Sequence, residues 1–192
     1  MVVLWGAEYL GGMERVSTIK DGRELRILRV QPEDAADILV YTERVSGESD
    51  FLSFGPGEFG ISLEEETKFI RSLDGGRLGF LLKGVVGGEI VSVCALMRPP
   101  RPRLKHNGRF GISVAASCWG LGVGRAMCLA TLDAAREVGV TKVDLHVRED
   151  NAKAIALYES VGFQREGLSV QGFRIGGKYF ADVVMGVCLP ES

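Results

Sequence analysis

The sequence predicts a mixed α/β fold on one twisted sheet, and three observations predict it. Two β-rich runs, Arg77 to Val86 and Glu89 to Met97, meet at Gly87-Gly88, a hairpin turn signal. A strand of roughly Lys105 to Val114 leads through a glycine-rich turn into an amphipathic helix. On that helix Val123, Met127, Ala134 and Val138 share one face, while Arg125, Asp133, Arg136 and Glu137 share the other. Val140 to Val147 then reads as a strand, which makes a strand–helix–strand crossover, parallel and right-handed.

The remaining elements follow in chain order. Residues 1–23 show no clear period and read as an N-terminal extension, leaving 24–192 as a single domain. Glu24 to Val30 alternates as a strand. Pro32, with Glu33 and Asp34 behind it, starts a helix that ends near Gly47. Ser62 and Glu65 form a capping-box pattern ahead of Phe69, Ile70 and Leu73 at helical spacing. The stretch from Phe51 to Phe59 between those helices is aromatic and rich in Gly and Pro, a loop or a pocket wall. Asn151 to Val161 is a further helix, with Ala154, Leu157, Tyr158 and Val161 in register and Gly162 as its stop. Phe163 to Val170 and Lys178 to Leu189 close the chain as strands. The order is therefore β-α-α-β-β-β-α-β-α-β-β.

Composition narrows the function. Of 192 residues 46% are apolar and 25% charged, as in an ordinary globular chain. The net charge of −2 carries no whole-chain basic footprint for nucleic acid. The longest uncharged stretch, Phe110 to Gly124, falls short of the roughly 20 apolar residues of a membrane span. The N-terminus has no basic n-region and is not expected to be a signal peptide. Cys94, Cys118, Cys128 and Cys188 form no C-x-x-C pair, and with two histidines, His106 and His146, no metal site is expected. They read as buried free thiols of a reducing compartment, so the expected location is cytoplasmic.

Glycine is the anomaly: 26 residues, about twice the usual share of roughly 7%. Gly75-Gly76, Gly87-Gly88 and Gly176-Gly177 are turn chemistry. Trp119-Gly120-Leu121-Gly122-Val123-Gly124 is different, because it joins a strand to a helix. The first helical N–H groups lack partners and carry about half a positive charge, an anion site that glycine lets a ligand approach. A phosphate loop of the form G-x-x-x-x-G-K-[ST] is absent. A dinucleotide G-x-G-x-x-G also fails, since the sixth position is Arg125 counted from Gly120 and Met127 counted from Gly122. Tight helix–strand packing without a ligand is the plain structural alternative.

Ile112-Ser113-Val114, the glycine loop, and Asn151-Ala-Lys-Ala-Ile-Ala-Leu-Tyr158-Glu-Ser-Val-Gly-Phe163 together resemble the GNAT superfamily of acetyl-CoA-dependent N-acetyltransferases. The likeness is close from Gly108 to Gly167. It implies a central mixed sheet of about six to seven strands flanked by helices. It also implies that the backbone N–H groups of residues 119–125, Trp119, Gly120, Leu121, Gly122, Val123, Gly124 and Arg125, take the diphosphate of acetyl-CoA. Trp119 stands where the family has Gln or Arg. Ile112, Ser113 and Val114 would pair with the pantetheine arm, and their strand would splay from Val140–Val147 to admit the thioester. Asn151 and Ala154 would touch the cofactor, although Asn151 is equally a helix N-cap. Acetyl-CoA is the implied cosubstrate, with no metal.

Tyr158 would be the general acid to the departing thiolate, since a phenol with pKa about 10 keeps its proton at neutrality. The implied reaction is direct attack by an amine, with the oxyanion held by a backbone N–H near Val114. His106 and Glu89 are the candidate bases, while His146 reads as a packing or surface residue. Phe51, Phe54, Glu58 and Phe59 form the expected acceptor wall, for a small-molecule or peptide amine. A homodimer is compatible with the sequence, and neither nucleic acid nor membrane is an expected partner. The rival readings are a non-catalytic acyl-CoA sensor on the same fold and, more distantly, a dinucleotide oxidoreductase.

Overall fold

The computed structural model of the chain describes residues 14–73 and 76–190. Eight strands form one sheet: β1 (Glu14–Thr18), β2 (Glu24–Arg29), β3 (Gly79–Val86), β4 (Glu89–Met97), β5 (Asn107–Val114), β6 (Lys142–Arg148), β7 (Gln164–Ile175) and β8 (Lys178–Cys188). Their spatial order is β1-β2-β3-β4-β5-β6-β8-β7. Every neighbouring pair is antiparallel except β5 and β6, the two strands joined by the expected crossover. Four helices, α1 (Ala35–Ser46), α2 (Leu63–Ser72), α3 (Val123–Glu137) and α4 (Ala152–Ser160), cover the sheet.

Local chemistry sets the helix ends. Ser62 and Glu65 cap reciprocally, Ser62 N–H donating to the Glu65 carboxylate at 2.9 Å and Glu65 N–H to Ser62 Oγ at 3.2 Å. Pro32 opens a short 3₁₀ turn ahead of α1, and Asp34 accepts the Gln31 N–H at 2.8 Å. Asn151 caps α4 by accepting the Ala154 N–H at 3.2 Å.

The larger core lies under α3 and α4. Leu25, Phe80, Leu82, Cys94, Leu96, Met127, Val143, Leu145 and Met185 are fully enclosed there. A smaller cluster of Val30, Ala35, Ile38, Ile70, Leu73 and Leu81 seats α1 and α2 on the opposite face. Two glycines let these layers close. A Cβ at Gly84 would stand 2.9 Å from Met127 Sδ, and one at Gly108 would stand 2.9 Å from the Leu96 side chain.

Three features depart from the sequence reading. Residues 14–18 of the expected extension form β1, which pairs with β2 from Glu14 opposite Leu28 to Thr18 opposite Glu24; residues 1–13 lie outside the described residues. That brings the sheet to eight strands rather than six or seven. Strand β7 runs to Ile175 instead of stopping at Val170, with an irregularity between Ser169 and Phe173. Cys188 is exposed at the end of β8, whereas the other three cysteines are buried. Among the described residues no helix is long and apolar enough to cross a membrane.

Candidate active site

The parallel pairing of β5 with β6 is short. It joins Asn107 to Lys142, Gly108 to Val143 and Arg109 to Asp144, and then stops. Beyond it the two strands diverge, because β5 follows β4 as far as Val114 while β6 follows β8 as far as Arg148. A fork therefore opens in mid-sheet. Alternation along β5 turns Ala115 toward β4, where its amide bonds the Val91 carbonyl at 2.8 Å. The backbone groups of Phe110, Ile112 and Val114 then face the fork, as a strand-like ligand requires. The Val114 carbonyl already accepts the indole N–H of Trp119 at 2.7 Å. Trp119, half exposed, thus caps the last acceptor of this open strand edge.

The glycine loop stands where β5 ends. Gly122 is the N-cap of α3 with φ of 92°, and Gly120 has φ of 74°. Both lie in the left-handed region that glycine alone enters without strain. A Cβ built on either meets nothing within 4 Å, so the missing side chains leave open space rather than packed protein. Gly124 differs: its Cβ would stand 3.0 Å from Leu157 of α4, so it serves helix packing. The first intrahelical backbone bond runs from Ala126 N–H to the Gly122 carbonyl at 3.1 Å. This leaves the N–H groups of residues 122–125 for a ligand. Such a cradle fits a diphosphate, and Arg125 adds an exposed cation in the first turn.

Tyr158 stands at the fork on the α3/α4 face. Its ring is 6.3 Å from Phe110, edge-on, and 5.9 Å from Phe163. Phe110 is the first β5 residue past the last pair with β6. Burial pushes the Tyr158 phenol well above its ordinary value, and the nearby Cys128 and Cys94 push the same way. Those thiols are raised by burial too, Cys128 to about 12 from 9.0. A raised folded-state value means stability that is fully present below about pH 9 and is lost as pH climbs toward 12. Cys128 alone is worth on the order of 4 kcal/mol across that window. Thermal melts should accordingly be flat between about pH 7 and 8.5 and fall steadily above pH 9. In a Cys128→Ala variant that fall should be shallower.

On the opposite face, the segment between α1 and α2 spans the mouth of the fork. Glu48 accepts the Ala116 N–H at 2.6 Å, tying the segment to the end of β5. Arg148 donates to the Asp50 carbonyl at 2.8 Å and lies between the rings of Phe51 and Phe180, 4.3 and 4.4 Å from their centroids, tying it to the end of β6. Tyr41 of α1 shares a hydrogen bond with Ser113 at 3.0 Å beneath the segment. Of the residues of the expected acceptor wall, Phe51 lies against Arg148. Phe54 and Phe59 pack on each other at 4.9 Å, and Glu58 accepts the Gly55 N–H at 2.7 Å. Glu58 therefore shapes the loop itself, a role its spacing could not reveal.

The two expected bases lie at strand ends. His106 lies at the closed end, its carbonyl accepting the Thr141 and Lys142 amides just before the first β5–β6 pair. Glu89 is an exposed hairpin residue, 3.8 Å from Arg44 and three residues beyond Ser92, the partner of Val114. The histidine beside the fork is His146, whose Nδ1 is 3.8 Å from the Asp182 carboxylate of β8. Sequence alone reads His146 as a packing or surface residue, since Asp182 lies 36 positions away and only strand register brings the two together.

Residues 48–163 match the acetyltransferase (GNAT) family. The chain belongs to that family. N-alpha-acetyltransferase RimI of Mycobacterium tuberculosis is 41% identical over 95 residues, covering 47% of this chain and 56% of that one. Mycothiol acetyltransferase of Sanguibacter keddieii is 37% identical over 87 residues, 44% of this chain and 28% of that one. The chain thus spans between about a quarter and just over half of the length of these relatives. A GNAT-family acetyltransferase from Streptococcus pneumoniae superposes with a TM-score of 0.82 at 26% identity, over 86% of this chain and 99% of its own. The family match covers the fork, the glycine cradle and Tyr158, with β1, β2, β7 and β8 beyond it.

Proposed function

We propose that this GNAT chain is an acyl-CoA-dependent N-acetyltransferase in which Tyr158 is the general acid. The observation that carries the reading is the convergence at one fork of an unpaired strand edge, a helix N-terminus open to anions and a buried phenol. Bound acetyl-CoA supplies an activated acyl group as a thioester. The free amides of residues 122–125 hold its diphosphate, and the exposed backbone of Phe110, Ile112 and Val114 pairs with the pantetheine arm. The Trp119 indole shares the last of these acceptors, so it borders the arm. Asn151 is committed to capping α4 and so supports the helix that carries Tyr158.

Tyr158 holds its proton at every working pH because burial favours the neutral phenol. A thiolate released into the same dry slot is destabilised for the same reason, which keeps the proton transfer from Tyr158 to sulfur favourable. An N–H near Val114 is available to the developing oxyanion. The acceptor amine enters from the α1–α2 face, past Phe51. The relative RimI is named for N-alpha acetylation, and an N-terminal amine, with a pKa of about 8, is easily neutral near pH 8.

The test is release of CoA from acetyl-CoA, followed by chromatography, with an alanine-initiated peptide, spermidine and free lysine as acceptors. Turnover with at least one of them is expected. Tight CoA binding with no release for any amine would favour the non-catalytic sensor instead.

A further inference from the structure

His146 stands on β6 two residues past Asp144, the last residue to pair with β5, and so borders the fork from the face opposite Tyr158. The charged groups around it are already engaged, with one exception. Asp144 is held by Arg109 at 2.9 Å, and Arg148 is held by Asp150 at 2.6 Å and by its two aromatic neighbours. Val184, across from His146 on β8, is apolar. Asp182 is the exception. It is 5% exposed, and its Oδ1 has no hydrogen-bond partner. Its Oδ2 lies 3.8 Å from His146 Nδ1.

A buried carboxylate with an idle oxygen is costly, and the fold has been shaped to keep it. In the irregular stretch of β7, Gln171 adopts φ of 56°, a strained value for a residue with a side chain. This brings Gly172 so close that a Cβ there would stand 2.7 Å from Asp182 Oδ2. Strand β7 thus closes over Asp182, whose remaining ionisable neighbours are His146 and its cross-strand partner Arg148, the latter already held by Asp150. Burial pushes the carboxyl upward, while His146 and Arg148 draw it back down.

We propose that His146 is the general base and that Asp182 is its positioning residue. This rests on the N-acetyltransferase reading. With Nδ1 turned toward the Asp182 carboxylate at 3.8 Å, the ring proton is favoured on that side and the lone pair is left on Nε2. His146 Nε2 takes the N–H proton as the amine nitrogen bonds to the acyl carbon, and the carbon–sulfur bond breaks as Tyr158 gives its proton to the sulfur. The imidazolium then loses its proton to solvent and the phenolate regains one, so an amine and a thioester become an amide and a thiol. Base and acid stand on opposite faces of the sheet, with the fork between them.

The decisive measurement is ¹⁵N NMR of the two neutral imidazoles in the free chain, with His146→Gln assigning the signals. His146 should carry its proton on Nδ1, and Asp182→Asn should shift it toward the Nε2–H tautomer while leaving the His106 signals in place. In acetyl-CoA turnover with the panel amine used fastest, His146→Gln should lower kcat/KM by about 10²- to 10⁴-fold. Asp182→Asn should lower it about tenfold. An unchanged His146 tautomer in Asp182→Asn, or a His146→Gln enzyme with unchanged rate, overturns the proposal. If Asp182→Asn does not fold, His146→Gln decides alone. A wild-type chain inactive toward every amine refutes the parent reading and the base role together. The free-chain spectrum then separates that failure from one of the His146–Asp182 contact.

Discussion

Phenylalanine at Tyr158 should lower kcat by about 10²- to 10⁴-fold while leaving the KM for acetyl-CoA within about twofold. The hydroxyl is the only atom removed, and no described residue hydrogen-bonds it, so the ring keeps its contacts with Phe110 and Phe163. Stability should therefore change by less than about 0.5 kcal/mol, which separates a chemical effect from a folding one. The size of the loss follows from the leaving group. Without a proton donor, a bare thiolate must form in a slot enclosed by Phe110, Phe163 and the fork walls, where charge is poorly solvated. A second signature concerns pH. Burial pushes the Tyr158 phenol upward, so it donates throughout the neutral range and sets no basic limb below about pH 10. Turnover unchanged in the phenylalanine variant would remove Tyr158 from the mechanism.

The half of the site proposed to hold the cofactor was legible in the sequence because its determinants are local. Gly120, Gly122 and Gly124 lie within one turn, and Ala154, Leu157 and Tyr158 lie on one helical face, so spacing alone locates them. The hairpin at Gly87-Gly88 and the capping box at Ser62 and Glu65 were readable for the same reason. The acceptor half was not. Strand β1 is a five-residue edge strand, Glu-Arg-Val-Ser-Thr, with a single apolar residue and no buried side chain. Strand β7 lies at the other edge, mostly exposed, and its pairing depends on an irregularity that no residue pattern marks. Arg148 finds Asp50, Phe51 and Phe180 only once the fork has formed. An imidazole suits a base and so makes His106 a candidate from sequence, but it precedes β5 and the fork opens at the other end of that strand. Register decides which end is open, and register is a property of the whole sheet.

Gly122 to valine should raise the KM for acetyl-CoA by about 10- to 100-fold, with kcat less affected. Two effects combine. Valine at φ of 92° is forced into the left-handed region, a strain of about 1–3 kcal/mol that tilts the first turn of α3 away from its present geometry. Its branched side chain also enters the open space over the N–H groups of residues 122–125, where a diphosphate must approach to hydrogen-bonding distance. Gly139, just past the other end of α3, is the matched control. Its φ is 75° and a Cβ there also meets nothing within 4 Å, so valine imposes comparable strain far from the cradle. Both variants should melt earlier by a similar amount, and only the Gly122 variant should lose affinity for CoA. Equal losses of affinity in the two would mean that strain transmitted along α3, rather than obstruction of the anion cradle, accounts for the effect. Gly124→Ala discriminates further: its Cβ would press on Leu157 at 3.0 Å, so it should disturb the seating of α4 and lower kcat through Tyr158 while the diphosphate amides stay open.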